Sequence, residues 1–344
     1  MGKTKLLKDL GLRIYNNKMI TKEVDGEVVN QDEKEIREIC NRTFGTGSPS
    51  PENLYLFNQF LVETAEVIAK PRVDAVLGLL ADIETVPAGA VKMYRVPKTT
   101  EPKFLFTAKG TGVDLVRLSP DETTKVATPK PMTYGGYYEI TTFRADPVKA
   151  FRDAVDNLAN AKVEYYFDKV FELVGLALSN GDIPENNKKT GSNLSLADFQ
   201  KVEQTMIRLT GGRPVMVADM SLINHFTNQI PTAQKDLLTD DIRLMLREEL
   251  IPSKISKTIA VNLPNSWIDE NNSKVRFNQN TGFVFPGAVS GKKPFAITEF
   301  GTRRQYSELD SQTEQVKLKV VFESDVTLLS GRYFGVLKED SVLA

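Results

Sequence analysis

The chain has 344 residues, of which 41% are hydrophobic and 26% charged, a composition that excludes wholesale disorder and collagen-like order. Its 44 basic and 45 acidic residues leave a net charge of −1, so no global field attracts nucleic acid. One cysteine, Cys40, excludes an intrachain disulfide, and one histidine, His225, leaves too few ligands for a typical zinc site. No apolar run approaches the ~18 residues of a membrane span, and the first residues lack the apolar core of a signal peptide. We therefore expect a cytosolic chain without metal chemistry.

The first 50 residues differ from the rest of the chain. They contain nine Lys or Arg, eight Asp or Glu, few large apolar residues and no sustained helical stripe. The segment ends in a Gly-, Ser- and Pro-rich stretch at 45–51, which is typical of a hinge. Two interpretations remain open: a disordered tail, or an arm that becomes ordered only against a neighbouring subunit.

A helix is predicted next. Ser50 is a suitable N-cap, Pro51 suits the first helical position, and apolar residues such as Phe57 and Leu61 recur at helical spacing to about Lys70. A second, short apolar run at 73–80 follows.

Residues 86–131 contain six of the chain's 17 prolines. The strand-like runs between these prolines are 91–96, 103–108 and 113–118. The last two flank a Gly-bearing turn, as in a hairpin. A further strand predicted at 137–143 is expected to pair with 91–96 at the base of the hairpin.

The segment 91–131 is therefore expected to be a long two-stranded ribbon. It has eight basic and four acidic residues, whereas the rest of the chain is net acidic. An isolated ribbon is only marginally stable in water, so this one needs a surface to lie on. A basic ribbon resting on an acidic neighbour fits the charge distribution, and a solvated loop fits it nearly as well.

The strongest helix signal follows at 147–180. Asp146 is a cap, Pro147 stands at the first position, and Gly181 ends the pattern. A helix of about 34 residues is roughly 50 Å long at ~1.5 Å per residue. Such a rod spans a domain rather than lying within one, because the mean globular helix has only ~11–12 residues.

The last third predicts a mixture of helices and strands. Ser195 and Asp198 resemble a capping box that opens a helix ending at Gly211 and Gly212. Short helices are predicted at 221–228 and 233–249. The predicted strands are 214–218, 257–262, 275–277, 282–285, 294–299, 315–323 and 332–337. The fold class is therefore mixed α+β, with a β-rich C-terminal third.

Residues that could carry chemistry are few. The Gly-Thr-Gly stretches at 45–47 and 110–112 lack the rest of a phosphate-binding loop. His225 follows Ser221 on a short predicted helix without a nucleophile elbow, and the acidic loop at 182–187 lacks the ligand spacing of a calcium site. Cys40 has no His or CxxC partner and is expected to be a free thiol with no catalytic role. No enzyme class is indicated.

The order of these elements resembles the Hong Kong 97-type major capsid protein of tailed bacteriophages. The resemblance covers residues from 52 onward. It consists of a short helix, a Pro-rich ribbon, the long helix, the strand-to-helix step at 215–226 and the closing strands at 294–300, 315–322 and 331–337. No single motif is diagnostic.

The resemblance implies a Hong Kong 97-type capsid fold with a divided chain. Its parts would be an N-terminal arm (1–51), a first peripheral part (52–90), an extended loop or β-ribbon (91–131), a peripheral part with the spine helix (132–181), an axial domain (182–292), peripheral return strands (293–325) and a closing axial strand with the tail (326–344). It implies hexamers and pentamers that form an icosahedral shell around double-stranded DNA.

The resemblance also assigns three sets of residues, and no catalytic, metal-binding or cofactor-binding residue. The extended loop over the adjacent subunit would use Lys98, Lys103, Phe104, Phe106, Lys109, Arg117 and Lys125. The spine helix would use Phe151, Val155, Leu158, Tyr166, Val170 and Phe171. A loop at the capsomer centre would use Trp267, Asp269, Glu270 and Asn271.

The partners implied are other copies of the chain, a scaffolding protein, a portal, a decoration protein in some members, and DNA held non-specifically on the inner face, with no membrane. Assembly would take place in the bacterial cytoplasm, and the virion capsid would be the final location. Some members cross-link a loop Lys to a C-terminal Asn, and we expect no such link because residues 281–344 contain no Asn. Two alternatives remain: an encapsulin-like compartment that encloses cargo, and an enzyme or adaptor with an unusual α+β fold.

Overall fold

The computed structural model describes residues 2–24, 27–45, 49–97, 122–229, 254–263, 265, 267, 269–275, 277–287 and 293–342. The helices are α1 (Gly2–Tyr15), α2 (Gln31–Phe44), α3 (Pro51–Val76), α4 (Ile140–Ala145), α5 (Pro147–Asn180), α6 (Leu196–Thr210) and α7 (Met220–Asn228). Short 3-10 turns lie at Leu77–Leu79, Glu185–Asn187 and Gly331–Tyr333.

The strands are β1 (Thr21–Val24), β2 (Glu27–Asn30), β3 (Ala81–Val86), β4 (Lys92–Pro97), β5 (Glu122–Ala127), β6 (Lys130–Glu139), β7 (Lys188–Gly191), β8 (Val215–Ala218), β9 (Lys254–Ile255), β10 (Thr258–Asn262), β11 (Thr281–Phe285), β12 (Phe295–Asp310), β13 (Gln315–Leu328) and β14 (Gly335–Glu339). The predicted α+β class is confirmed, and the elements follow one another in the order that the capsid resemblance implies.

A four-stranded sheet and a six-stranded sheet organise the chain. The first has the order β3-β12-β13-β6, and the second has the order β7-β14-β11-β8-β10-β9. β12 and β13 form a long antiparallel hairpin, in which the register shifts at a bulge between Phe300 and Arg303. The second sheet packs with α6 and α7 around a separate core that includes Phe199, Met216 and Phe226.

Helix α5 connects the two halves and has the predicted bounds. The Asp146 side chain accepts a hydrogen bond from the Lys149 N–H, and Gly181 closes the helix with a left-handed φ of 74°. Its first half packs in a core with α2, α3 and β13, and its second half packs in another core with β8, β11 and β12. The capping box of Ser195 and Asp198 is also present at the start of α6.

The N-terminal segment differs from both interpretations of the sequence. It forms the helices α1 and α2, which are buried in the core of their own chain. Leu10 and Ile14 on α1, with Ile36 and Phe44 on α2, are at most 2% exposed. These apolar residues recur at intervals of four along otherwise charged helices, and such a narrow stripe suffices to dock a helix. The segment therefore does not need a neighbour to become ordered.

Three further predictions were wrong: the end of α3, the strand at 137–143, and its pairing with 91–96. Helix α3 does not end near Lys70 but continues through Pro71 to Val76. The strand at 91–96 does not pair with 137–143, because β4 pairs with β5, β6 pairs with β13, and residues after 139 form α4. The long β13 offers β6 a ten-residue partner with a buried face, and this outweighs a local pairing.

Smaller differences concern strand ends. Val275 makes only an isolated bridge to Trp267 instead of a strand at 275–277. The strand predicted at 294–299 extends to Asp310. It crosses a bulge that the sequence pattern did not reveal. The strands predicted at 103–108 and 113–118 and the helix predicted at 233–249 lie outside the described residues.

Candidate functional site

The ribbon stem, which we define as β4 and β5, touches the body of its own chain through polar groups. Tyr94 Oη lies 2.7 Å from Thr298 Oγ1, and Lys92 forms an ion pair with Glu84. Where the stem leads into β6, Asp325 accepts a hydrogen bond from the backbone N–H of Thr128 at 3.0 Å. These contacts fix the base of the ribbon and bury little of it.

The opposite face of the stem is exposed and carries apolar side chains next to Arg95 and Thr124. Met93 and Val126 oppose each other in the β4–β5 register, and their side chains are 62% and 45% exposed. Val91, just before the stem, is 58% exposed. Of the extended-loop residues predicted from the sequence, only Lys125 lies among the described residues, and it is exposed on β5. Lys98, Lys103, Phe104, Phe106, Lys109 and Arg117 lie outside them.

The predicted spine residues lie in the interior of the chain rather than on a free surface. Phe151, Val155, Leu158, Tyr166 and Val170 are buried, and Phe171 is partly buried. Phe151 stacks on Phe60 of α3 with ring centroids 4.7 Å apart, and Phe171 lies 4.7 Å from the ring of Phe277. Helix α5, the predicted spine helix, therefore contributes side chains to two cores.

A group of charged side chains, which we call the charged layer, lies where these two cores meet. It consists of Glu66, Lys162, Glu299 and Arg303. Lys162 of α5 lies 2.8 Å from Glu299 of β12, which also accepts a 2.7 Å hydrogen bond from Tyr166. Arg303, just after the bulge, donates a 2.8 Å hydrogen bond to Glu66 of α3. These side chains line a cavity of about 420 Å³. Arg303 therefore joins β12 to α3, and Lys162 joins β12 to α5.

The pKa values of the two carboxyl groups of this layer shift in opposite directions, upward for Glu66 and downward for Glu299. Burial raises the pKa of Glu66 and outweighs the nearby Arg303. Burial also acts to raise the pKa of Glu299, but the charge and hydrogen bond of Lys162 outweigh it, and the net pKa is lowered. Because each carboxyl group has a cationic partner, we interpret the layer as structural.

The predicted capsomer-centre residues lie together on one turn of chain after β10. Trp267 bridges to Val275 and is 52% exposed. Asp269 accepts hydrogen bonds from the N–H groups of Ser273 and Lys274, at 3.0 and 2.8 Å. Glu270 and Asn271 are exposed between them. The structure therefore presents these four residues on a closed loop.

Two residues that the sequence analysis did not assign hold this loop in place. Asn265 donates to Phe277 O at 3.0 Å and accepts from the Phe277 N–H at 2.8 Å. Its amide also donates to the buried Asp219 at 2.8 Å, and Asp219 caps α7. The capping role of Asp219 is visible in the sequence, because an Asp stands directly before a helical pattern. No local sequence pattern predicts the hydrogen bonds between Asn265 and Phe277.

Arginines of α4 and α5 tie the N-terminal helices to the body, and an ion pair joins α1 to α2. Arg152 of α5 donates to Ile14 O at 2.8 Å, and Arg144 of α4 donates to Gly45 O at 2.9 Å, so each satisfies carbonyls at the end of a docked helix. Arg13 and the buried Asp32 form a bidentate pair with two distances of 2.8 Å. Burial raises the pKa of the Cys40 thiol on α2 to about 12.

His225 has a structural environment. Its Nε2 lies 3.1 Å from Leu194 O and 3.5 Å from the carboxylate of Glu339, which is fully buried. Burial acts to raise the pKa of Glu339, but hydrogen bonds from Ser341, Leu194 and Asn193 outweigh it and lower the pKa. Within the described ranges, no group of three or more His, Cys, Asp or Glu could hold a metal ion, and no helix is long and apolar enough to cross a membrane.

Comparison with known proteins gives two matches in sequence. A family model described as "SPbeta prophage-derived putative capsid protein YonB" matches residues 6–338. A relative from Bacillus subtilis (strain 168), "SPbeta prophage-derived uncharacterized protein YonB", is 39% identical over 342 residues, which are 98% of this chain and 98% of the relative.

Comparison with solved structures gives weaker likenesses. The capsid of the Cyanophage P-SCSP1u has a TM-score of 0.48 and 11% identity, covering 77% of this chain and 88% of that chain. A virus-like particle from Pyrococcus furiosus has a TM-score of 0.46 and 12% identity, covering 80% of this chain and 96% of that chain. Because both TM-scores are below 0.5, the family assignment rests on the sequence matches.

Proposed function

The chain belongs to the YonB family of prophage-derived capsid proteins, and from this premise we propose that it assembles through hexamers and pentamers into an icosahedral shell around double-stranded DNA. The family match over residues 6–338 carries the proposal. The mixed fold and the order of its elements support it, because they agree with a Hong Kong 97-type subunit. Such a protein works mechanically, through many modest interfaces repeated by symmetry.

In this proposal the ribbon is the main contact between subunits. Its stem makes a few polar contacts with its own chain, while Met93 and Val126 face solvent. Exposed apolar side chains clustered on one face are typical of an interaction surface. The ribbon, including Lys98, Lys103, Phe104, Phe106, Lys109, Arg117 and Lys125, would lie over the adjacent subunit.

The spine helix would transmit load between the two halves of the subunit. It is shared by two cores and braced at its middle by the charged layer around Lys162 and Glu299. The loop with Trp267 would stand at the capsomer centre, because it is exposed and yet held by Asn265. An exposed aromatic on a restrained loop is the kind of residue that anchors protein interfaces.

The further partners in this proposal are a scaffolding protein, a portal, a decoration protein in some assemblies and packaged DNA on the inner face. Assembly would take place in the host cytoplasm, and the mature protein would reside in the virion capsid. DNA contact would be non-specific and electrostatic, so it should weaken as salt rises.

Particles from the native source test the function directly. Negative-stain electron microscopy and light scattering should show closed shells tens of nanometres across, and nuclease-protected DNA should co-purify with them. Shells that hold an enzyme and no DNA would indicate the encapsulin-like alternative. A monodisperse monomer in the same lysate, with no shell containing this chain, would contradict the proposal.

A further inference from the structure

A groove of about 270 Å³ opens between β6 and α5. Its floor consists of buried apolar side chains that also belong to the core around α2, α3 and the first half of α5, namely Leu61, Phe143, Ala150, Leu158 and Leu318. The groove therefore leads from solvent down to that core. Its volume exceeds the roughly 150 Å³ of an engineered apolar cavity that holds a benzene ring, so it has room for one large apolar side chain.

A glycine keeps this groove open. Tyr134, Gly136 and Tyr138 stand at alternate positions of β6 and all line the groove, because alternate residues of a strand share a face. The position between the two tyrosines has no side chain. The three atoms nearest to a Cβ built at Gly136 all belong to the end of the Tyr134 side chain, at 3.0 to 3.2 Å. A side chain from another molecule can occupy the space that this strand leaves unfilled.

Two carboxylates stand at the rim of the groove. Glu139 is the last residue of β6, Asp153 lies on α5, and both are exposed. Within the described part of the chain, neither side chain forms an ion pair, and no Lys or Arg lines the groove. By contrast Asp156, three residues further along α5, lies 2.9 Å from Arg72. The rim thus presents two negative charges that the described cations of this chain leave unpaired.

We propose that the groove binds a basic amphipathic segment of another protein. The segment inserts one large apolar side chain beside Gly136 and places flanking Lys or Arg side chains against Glu139 and Asp153. Burial of the apolar side chain supplies most of the affinity. The flanking charges add specificity and speed the encounter, because complementary charges at a rim act mainly in this way.

The attraction in this proposal is local to the groove. The whole chain has 44 basic and 45 acidic residues, so its net charge of −1 provides almost no general attraction for a cationic peptide. Binding of a basic segment therefore reports on a particular site. The inference goes beyond the proposed function and does not depend on the formation of shells.

Fluorescence anisotropy of a labelled peptide tests the groove, with the full-length chain as the dissociated subunit. The probe is a fluorescein-labelled peptide of sequence Lys-Lys-Leu-Phe-Lys-Lys. One control peptide has Glu in place of every Lys, and the other has Ser in place of Leu and Phe. We expect the probe to bind and both controls to bind at least about tenfold more weakly. Equal binding of the probe and the Ser-substituted peptide would contradict the insertion of an apolar side chain.

Two substitutions in the chain separate the floor of the groove from its rim. Gly136→Leu fills the space between the tyrosines, and we expect it to weaken binding of the probe at least about tenfold at every salt concentration. Asp153→Lys reverses one rim charge. It should weaken binding about tenfold at low salt and much less in 1 M salt, where the Debye length is about 3 Å.

A charge reversal elsewhere is the matched control. Glu308→Lys changes an exposed carboxylate of β12 that does not line the groove, and it should leave binding of the probe unchanged. Circular dichroism and thermal unfolding verify that each variant is folded. Because Asp153 is exposed, Asp153→Lys keeps the test decisive even if Gly136→Leu does not fold.

Two results would overturn the proposal. One is unchanged affinity for the probe in folded Gly136→Leu and Asp153→Lys. The other is self-association of the natural subunit that Gly136→Leu abolishes, without binding of the probe, since a second copy of this chain would then be the occupant. Neither result bears on whether the chain forms shells.

Discussion

The N-terminal helices and the ribbon stem have similar compositions and differ in burial. Both are rich in charge and poor in large apolar residues, and both adjoin stretches rich in Pro or Gly. The N-terminal segment nevertheless buries Leu10, Ile14, Ile36 and Phe44 in the core of its own chain, whereas among the described side chains of the stem Ala127 alone is buried. The spacing of a few apolar residues, rather than overall composition, separates a segment docked in its own chain from one whose apolar side chains remain exposed.

Energetics make the difference concrete. A fully buried Leu, Ile or Phe side chain contributes about 1.5–3 kcal/mol by transfer from water, so burial of these four residues favours docking of the N-terminal helices. Met93 and Val126 of the stem gain no comparable free energy of burial in the isolated chain, because both are exposed. Substitutions in the two regions should therefore affect different observables: the stability of the subunit in one case, assembly in the other.

The largest effect is expected from Phe44→Ala. Phe44 is fully buried and packs edge-on against Phe57, with ring centroids 4.9 Å apart. Its truncation should lower the free energy of unfolding by about 3–5 kcal/mol, measured by urea denaturation of the dissociated subunit. Tyr137→Ala, at an exposed position, is the control and should change it by less than about 0.5 kcal/mol. A loss of under about 1 kcal/mol for Phe44→Ala would show that the N-terminal segment is not part of the core.

A smaller loss, about 2 kcal/mol, is expected from Asp32→Asn. The hydrogen bond from Arg13 lowers the pKa of Asp32 and outweighs burial, which acts to raise it. The ionised carboxyl group thus stabilises the fold above its unfolded pKa of about 3.9, and this contribution is lost as the pH falls through the folded pKa. The stability difference between the natural chain and Asp32→Asn should therefore be full at pH 7 and shrink on acidification.

The exposed Asp153→Asn is the control for this acid dependence, and it should show no such trend. A difference between the natural chain and Asp32→Asn that stayed constant from pH 7 to pH 2 would exclude the ion pair as its source.

The reactivity of Cys40 reports on whether the N-terminal helices stay docked. Its thiol is 2% exposed, and burial raises its pKa to about 12. Because the thiolate is the reactive form, labelling with iodoacetamide at pH 8 should be at least about a hundredfold slower than labelling of an exposed Cys placed at Thr124. Equal rates at the two positions would mean that the helices open readily. Phe44→Ala should accelerate the reaction at Cys40.

The smallest effect on stability is expected in the stem. Met93→Ser should leave the free energy of unfolding within about 0.5 kcal/mol of the natural value, because the side chain is exposed in the subunit. It should lower the yield of shells, which sedimentation measures. Ala88→Ser, in the loop before the stem, is the control and should alter neither quantity. If Met93→Ser assembles normally, the apolar face of the stem is not part of the interface between subunits.

Local signals in the sequence were enough to predict much of this fold. Capping residues define α5 at both ends and the start of α6, because a cap is a short-range interaction written in adjacent residues. Strand pairing could not be predicted in the same way, because it depends on partners that are distant in the chain. β6 pairs with β13 rather than with β4, and β12 continues through a bulge. The docking of α1 and α2 was missed because a stripe one residue wide has little weight in composition.

The candidate surfaces divide in the same way. Trp267 and Asp269 could be grouped from the sequence because they are neighbours in the chain. The clamp between Asn265 and Phe277, and the charged layer that joins Glu66, Lys162, Glu299 and Arg303, unite residues from separate elements. Such groupings become visible only after the chain has folded.

The contrast between the two regions is tested most directly by two deletions measured side by side. One variant lacks residues 2–45, and the other replaces residues 99–120 with a short Gly-Ser linker. Each is followed by thermal unfolding and by electron microscopy. We predict that the first loses cooperative unfolding, whereas the second melts within a few degrees of the natural chain and forms no shells. A shortened ribbon that unfolds the subunit, or that still allows normal shells to close, would contradict this account.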